Sequence, residues 1–166
     1  MVPQFVTNVV GPTIVAQTFL PLVEKSARKT IVNVSSGLAS IGSSWGDRWS
    51  SYSITKTAVN MLVCHTPVLS YKRLTDNRMC RIQTYKQVVE RPDLTIIALN
   101  PGWAKTGMSN SPTLGHVLIL FLVELGTPEA FLEVDESVTG VLNVLGSLKH
   151  EDSGAYLNYD GARIPW

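Results

Sequence analysis

Residues 30–37 read Thr30-Ile31-Val32-Asn33-Val34-Ser35-Ser36-Gly37. Apart from Asn33 the first five are β-branched, the composition of a strand buried on both faces of a parallel sheet. Two serines and a glycine then stop the strand and open a serine- and glycine-rich loop over residues 35–51. A hydroxyl thus emerges just beyond the carboxyl end of a strand, which is where open α/β sheets bind ligands.

Similar signals lie on either side. Residues 52–62 predict a helix with Ala58, Met61 and Leu62 on one side. Leu94-Thr95-Ile96-Ile97-Ala98-Leu99 reads as a second buried strand, stopped by Asn100-Pro101-Gly102. Residues 133–148 predict a helix with an apolar stripe at Val138, Val141, Leu142 and Leu145. Ala155-Tyr156-Leu157-Asn158-Tyr159 forms a short third strand closed by Asp160-Gly161. Upstream, residues 10–23 have near-helical apolar spacing and end in the charged turn of Glu24, Lys25, Arg28 and Lys29. The order helix, strand, helix, strand, helix, strand implies an α/β fold, a parallel sheet covered by helices. Three strands make a thin open sheet.

The chain is a single unit of 166 residues, without repeats or low-complexity linkers. With 45% hydrophobic and 16% charged residues it is neither disordered nor highly solvated, and a net charge of +1 offers no footprint for nucleic acid or an anionic membrane. Cys64 and Cys80 with His65, His116 and His150 form no disulfide framework or metal-ligand spacing. The first 22 residues lack the basic start and small-residue cleavage pattern of a signal peptide. The most hydrophobic run, residues 114–123, is about half the length of a spanning helix. A soluble, cytoplasmic protein is expected.

Tyr52-Ser53-Ile54-Thr55-Lys56 places a phenol and an ammonium four residues apart on one helix face. A phenol with a pKa near 10 is a poor acid or base at neutral pH, and an adjacent ammonium moves it toward the working range. Ser36 and the Pro101-Gly102-Trp103-Ala104-Lys105-Thr106 segment both follow carboxyl ends of strands, so three signals converge on one rim. Each has a structural alternative: Tyr52 and Lys56 at this spacing form a solvated helix face, Ser36 caps the turn after its strand, and Pro101-Gly102 reverses the chain, while Asn8, near the start of the first helix, is a candidate helix cap.

With these motifs the sequence resembles the short-chain dehydrogenase/reductases, closest to the small carbonyl-reductase branch called C-factor-like or sniffer-like. Asn8-Val9-Val10-Gly11-Pro12 looks like the start of that family's long interface helix, Tyr52 to Lys56 its YxxxK, Pro101 to Thr106 its PGxxxT, and Gly161-Ala162-Arg163-Ile164-Pro165-Trp166 a familiar ending. The resemblance implies a Rossmann-type doubly wound parallel sheet and an NAD or NADP cofactor. It implies a small carbonyl or alcohol substrate, and a homo-oligomer through the Asn8 and Tyr52 helices. It makes Tyr52 the general acid/base, and gives Lys56 the tasks of lowering the Tyr52 pKa and holding the cofactor ribose. Ser36 would bind the substrate oxygen, and Asn8 would anchor the water chain that resupplies the proton. Thr106 and the backbone at Pro101 and Gly102 would hold the nicotinamide carboxamide.

The family's opening strand, TGxxxGxG turn and NNAG segment have no counterpart here. Residues 1–166 are therefore expected to form one incomplete NAD(P)-binding domain without its first βαβ units. Thr139, Gly140 and Gly146 fall inside a helix, where they read as a coincidence of composition. Two segments depart from the family: residues 63–83 and 107–123, inserts or retained introns. Val63-Cys64 allows GTATGT, a 5′ splice signal, Leu74-Thr75 allows CTNAC, a branch-site pattern, and Gln83 allows a codon ending in AG. Gly107-Met108 allows GGTATG and Val123-Glu124 a GTAG junction. Without residues 63–83, the catalytic helix would continue from Leu62 into Thr84. Two functions compete: an NAD(P)-dependent oxidoreductase, and an inactive chain able at most to associate with related subunits. The extended, epimerase-like branch shares YxxxK, but the short C-terminal part argues against it.

Overall fold

The computed structural model describes residues 2–43, 50–61, 93–106 and 132–166. The expectations for residues 63–83, 84–92, 107–123 and 114–123 lie outside the described residues.

Three strands, β1 (Thr30–Val34), β2 (Thr95–Asn100) and β3 (Tyr156–Asn158), form one parallel sheet in the order β1-β2-β3. Thr30 pairs with Thr95 and Val34 with Leu99, while Ala98 pairs with Tyr156. The central strand is buried from Thr95 to Leu99, as a parallel strand covered on both faces must be. Its alternate side chains build two cores. Leu94, Ile96, Ala98 and Tyr156 pack with Leu20, Val23 and Ile31 on one face. Ile97, Leu99, Ala155 and Leu157 pack with Val141 and Val144 on the other.

The first helical run starts earlier than the sequence suggests. It comprises α1 (Val2–Phe5), a π-helical turn (Val6–Val10) and α2 (Gly11–Lys25). Asn8 is therefore inside the run and caps nothing. Pro12 explains the wide turn: it has no N–H to offer the Asn8 carbonyl four residues back, and its ring crowds that carbonyl. The turn opens instead, and the Gly11 N–H bonds Val6 O. By length and composition alone, Val2–Lys25 could cross a membrane, a run the sequence reading passed over. Here Leu20 and Val23 pack on the sheet, while Phe5, Val6, Ile14, Val15, Phe19 and Leu22 remain exposed.

Two helices present different faces from those expected. In α3 (Ser50–Met61) the buried residues are Thr55, Val59 and Asn60, whereas Met61 is exposed. In α4 (Val134–Ser147) Ser137 and Val144 are buried and Val141 packs on the core, but Val138 and Leu142 are exposed. Gly140 is the reason. A Cβ there would lie 2.6 Å from the Tyr159 carbonyl oxygen, so the helix approaches the sheet along its smallest residues.

Candidate functional site

The Ser35 N–H bonds Leu99 O at 2.7 Å, which fixes the exit of β1 against β2. Ser36 then sits in extended backbone and caps the short turn Gly37–Ala39, its Oγ accepting from Leu38 N at 3.3 Å. The capping alternative is thus realised, yet the same hydroxyl lies close enough to the Tyr52 phenol to lower its pKa. Capping and contact with Tyr52 coexist.

Helix α3 is tied to this loop. Thr57 Oγ1 donates to Ala39 O at 3.1 Å, Asn60 Nδ2 to the same carbonyl at 3.4 Å, and Ser35 Oγ to Asn60 Oδ1 at 2.5 Å. The Tyr156 hydroxyl of β3 donates to Ser36 O. On the outer side Ser40 Oγ donates to Pro165 O at 2.6 Å and Gly42 N to Trp166 O at 2.8 Å. Tyr156 stacks on Trp166 with centroids 5.3 Å apart.

Tyr52 and Lys56 are both half-buried. Lys56 Nζ lies 5.9 Å from the Tyr52 ring centroid and donates to Val34 O at 3.0 Å. Burial pushes the Tyr52 phenol up, and nearby Ser36 offsets only part of that rise. Burial pushes the Lys56 ammonium down. In this arrangement burial outweighs the neighbours of the phenol, and the Lys56 ammonium donates to a backbone carbonyl. Asn8 Nδ2 donates to Thr55 Oγ1 at 3.0 Å, and Thr55 Oγ1 to Tyr52 O at 2.8 Å, so Asn8 is linked to the backbone of Tyr52.

Pro101 and Gly102 follow β2 on the same rim. The Pro101 carbonyl accepts from Ser137 Oγ at 2.6 Å. Gly102 has φ +81, and a Cβ there would meet Leu132 Cδ2 at 2.6 Å and Tyr159 Cδ1 at 2.9 Å. The reversal is thus glycine-dependent for packing reasons. Thr106 is exposed, two residues beyond the isolated bridge Ala104↔Leu132.

The structure therefore brings Ser36, Tyr52 and Lys56 together and links Asn8 to them through Thr55. Sequence reasoning missed Asn60 and Tyr156. The spacing of four that joins Tyr52 to Lys56 continues to Asn60 and could have found the first. Tyr156 had no local signal, since its partner lies 120 residues away.

No model of a known protein family matches the chain. It is 28% identical to an uncharacterised oxidoreductase of Schizosaccharomyces pombe, over 96% of this chain and 56% of that one. It is 25% identical to the C-signal protein of Myxococcus xanthus, over 100% of this chain and 78% of that one. Among solved structures it matches NADPH-bound carbonyl reductase from chicken fatty liver with a TM-score of 0.66 and 30% identity, over 98% of this chain and 55% of that one. The chain thus spans about half the length of the first of these relatives and of the chicken enzyme. Its homologues are short-chain dehydrogenase/reductase-family oxidoreductases, and its parallel α/β sheet matches Rossmann-fold carbonyl reductases.

Proposed function

We propose that this chain, as a homologue of the short-chain dehydrogenase/reductases, carries the proton-transfer centre of an NAD(P)-dependent oxidoreductase interconverting a small carbonyl compound and its alcohol. The observation that supports this reading is the half-buried Tyr52 phenol, with Ser36 near enough to lower its pKa and Lys56 beside it, at the carboxyl ends of β1 and β2. The chicken relative, solved with NADPH, suits the same cofactor class.

A bound nicotinamide would supply hydride to the carbonyl carbon. The protein's task is the oxygen. Burial keeps the Tyr52 phenol protonated at neutral pH, ready to donate. Ser36 steadies the same oxygen, and the Lys56 ammonium stabilises the phenolate left behind. Lys56 and Tyr52 would hold the ribose, and Pro101, Gly102 and Thr106 the carboxamide. Asn8 would bind the water that returns the proton, through a carbonyl to which Pro12 cannot donate.

The 166 residues contain no TGxxxGxG turn to receive the pyrophosphate, so affinity for NADPH or NADH should be on the order of millimolar or weaker. The test is carbonyl reduction by the purified chain at saturating NADPH, with cofactor binding followed by calorimetry. Tyr52→Phe should lower the rate by roughly 10²–10⁴-fold, with a much smaller loss of cofactor affinity because Lys56 still holds the ribose. Retention of more than about a tenth of the rate would reject Tyr52 as the acid.

A second reading, association with related subunits without turnover, is favoured by the exposed apolar residues of α1 and α2. Absence of any nicotinamide binding would favour it over the first.

A further inference from the structure

Two ties fix the serine loop, and neither has a role in the reading above. The first comes from the sheet: Tyr156 in β3, whose side chain is almost wholly buried, donates its hydroxyl to Ser36 O. The second comes from the catalytic helix: buried Asn60 accepts from Ser35 Oγ at 2.5 Å and donates to Ala39 O at 3.4 Å. The ties meet, because Asn60 and Ser35 lie close enough to the Tyr156 phenol to lower its pKa. Ser36 thus lies between residues held from both sides, and its own hydroxyl faces Tyr52.

We propose that Tyr156 is a positioning residue which, with Asn60, holds the serine loop so that the Ser36 hydroxyl meets the Tyr52 phenol. This rests on the reading of Ser36 and Tyr52 as the reacting pair. The alternative, that the ring of Tyr156 only fills the core beside Ile96 and Ala98, requires the ring and not its hydroxyl. A phenol buried in a core needs a partner for its hydroxyl, but any acceptor would serve. Here the acceptor is the backbone carbonyl of the residue whose side chain faces Tyr52.

The two phenols are also electrostatic neighbours. Burial pushes Tyr156 up, nearby Asn60 and Ser35 offset part of this, and the charge of an ionised Tyr52 pushes it further up. At neutral pH Tyr156 is thus held protonated, as the donor that Ser36 O requires.

The test separates the hydroxyl from the ring. The full chain, labelled with ¹³Cζ-tyrosine, is titrated by NMR as wild type, Tyr156→Phe and Ser36→Ala. Removing the Ser36 hydroxyl should raise the Tyr52 midpoint, since that hydroxyl lowers it. Tyr156→Phe, which keeps the ring, should raise it in the same direction. Asn60→Leu, which cuts the other tie, should do so as well, and decides the matter should Tyr156→Phe fail to fold. In the reductase assay Tyr156→Phe should lower kcat roughly tenfold to a hundredfold at unchanged KM for cofactor. A Tyr52 midpoint that rises in Ser36→Ala but stays at the wild-type value in Tyr156→Phe overturns the proposal. So does a midpoint that moves in neither. Should the wild type show no reduction dependent on Tyr52, the functional reading fails, while the titration still decides whether Tyr156 places Ser36 against Tyr52.

Discussion

Tyr52 and Lys56 share one environment and respond to it in opposite directions. Burial pushes the phenol above its usual 10.0 and the ammonium below its usual 10.5. A raised pKa stabilises the fold below the unfolded value, and that contribution is lost as pH rises through the folded value. For Lys56 the sign reverses: the folded state prefers neutral amine, so its contribution is present above 10.5 and is lost as pH falls through the lowered value. At neutral pH the charged Lys56 therefore works against folding, as groups placed for chemistry often do. Lys56→Met removes that burden but also the bond to Val34 O. Whatever the balance at pH 7, the urea midpoint of Lys56→Met minus that of wild type should fall as pH rises toward 10.5. A difference independent of pH would show that burial does not act on this ammonium.

Helix α4 shows how one element can be located by sequence while its face is not. Its expected span, residues 133–148, differs from the observed Val134–Ser147 by one residue at each end. The apolar stripe expected through Val138 and Leu142 faces outward, because the helix packs through Ser137, Gly140, Val141 and Val144. Gly140 and Gly146 look equivalent in the sequence, and the structure separates them. Gly140→Ala would press a Cβ to 2.6 Å of the Tyr159 carbonyl, backbone that cannot give way cheaply, and should destabilise by about 1–3 kcal/mol. Gly146→Ala meets nothing within 4 Å and should stabilise by about 0.5–1 kcal/mol through helix propensity. Chemical denaturation of the two variants checks this pair, and equal effects would mean that α4 does not approach β3 as described. The same contrast governs legibility elsewhere. β1 was readable over residues 30–34 because β-branched composition is local, and Ser36, Tyr52 and Lys56 because their motifs are local. The π turn at Asn8, the asparagine at position 60 and the Tyr156 tie were not read, since each depends on what packs opposite or on a proline's effect four residues back.

Across the whole molecule, α3 lies against α1 and the π turn, joined by the Asn8 to Thr55 hydrogen bond. These helices leave apolar side chains outward: Phe5, Val6, Ile14, Val15, Phe19 and Leu22 from the first run, with Ile54 and Met61 from α3. Val15, Phe19 and Leu22 follow one another at helical spacing, as do Val6, Val10 and Ile14, so their exposure forms rows along the helix and not a scatter. Contiguous apolar rows on a protein surface mark contact with another surface, and a net charge of +1 does little to keep copies apart. The expectation is self-association in which these rows are buried between copies, with the Asn8 and Tyr52 helices at the contact. Sedimentation of the purified chain should show a mass that rises with concentration through the micromolar range. Phe19→Glu, at a position 53% exposed, should leave the helical circular dichroism unchanged while shifting the equilibrium toward monomer, because a carboxylate cannot be buried in such a contact without a partner. The substitution Gln17→Glu, two residues away on another side of the helix and outside the rows, is the control and should leave the mass as it was. A chain that is monomeric at every concentration, or that associates equally well with Glu at position 19, would show that these rows are not the surface through which copies meet.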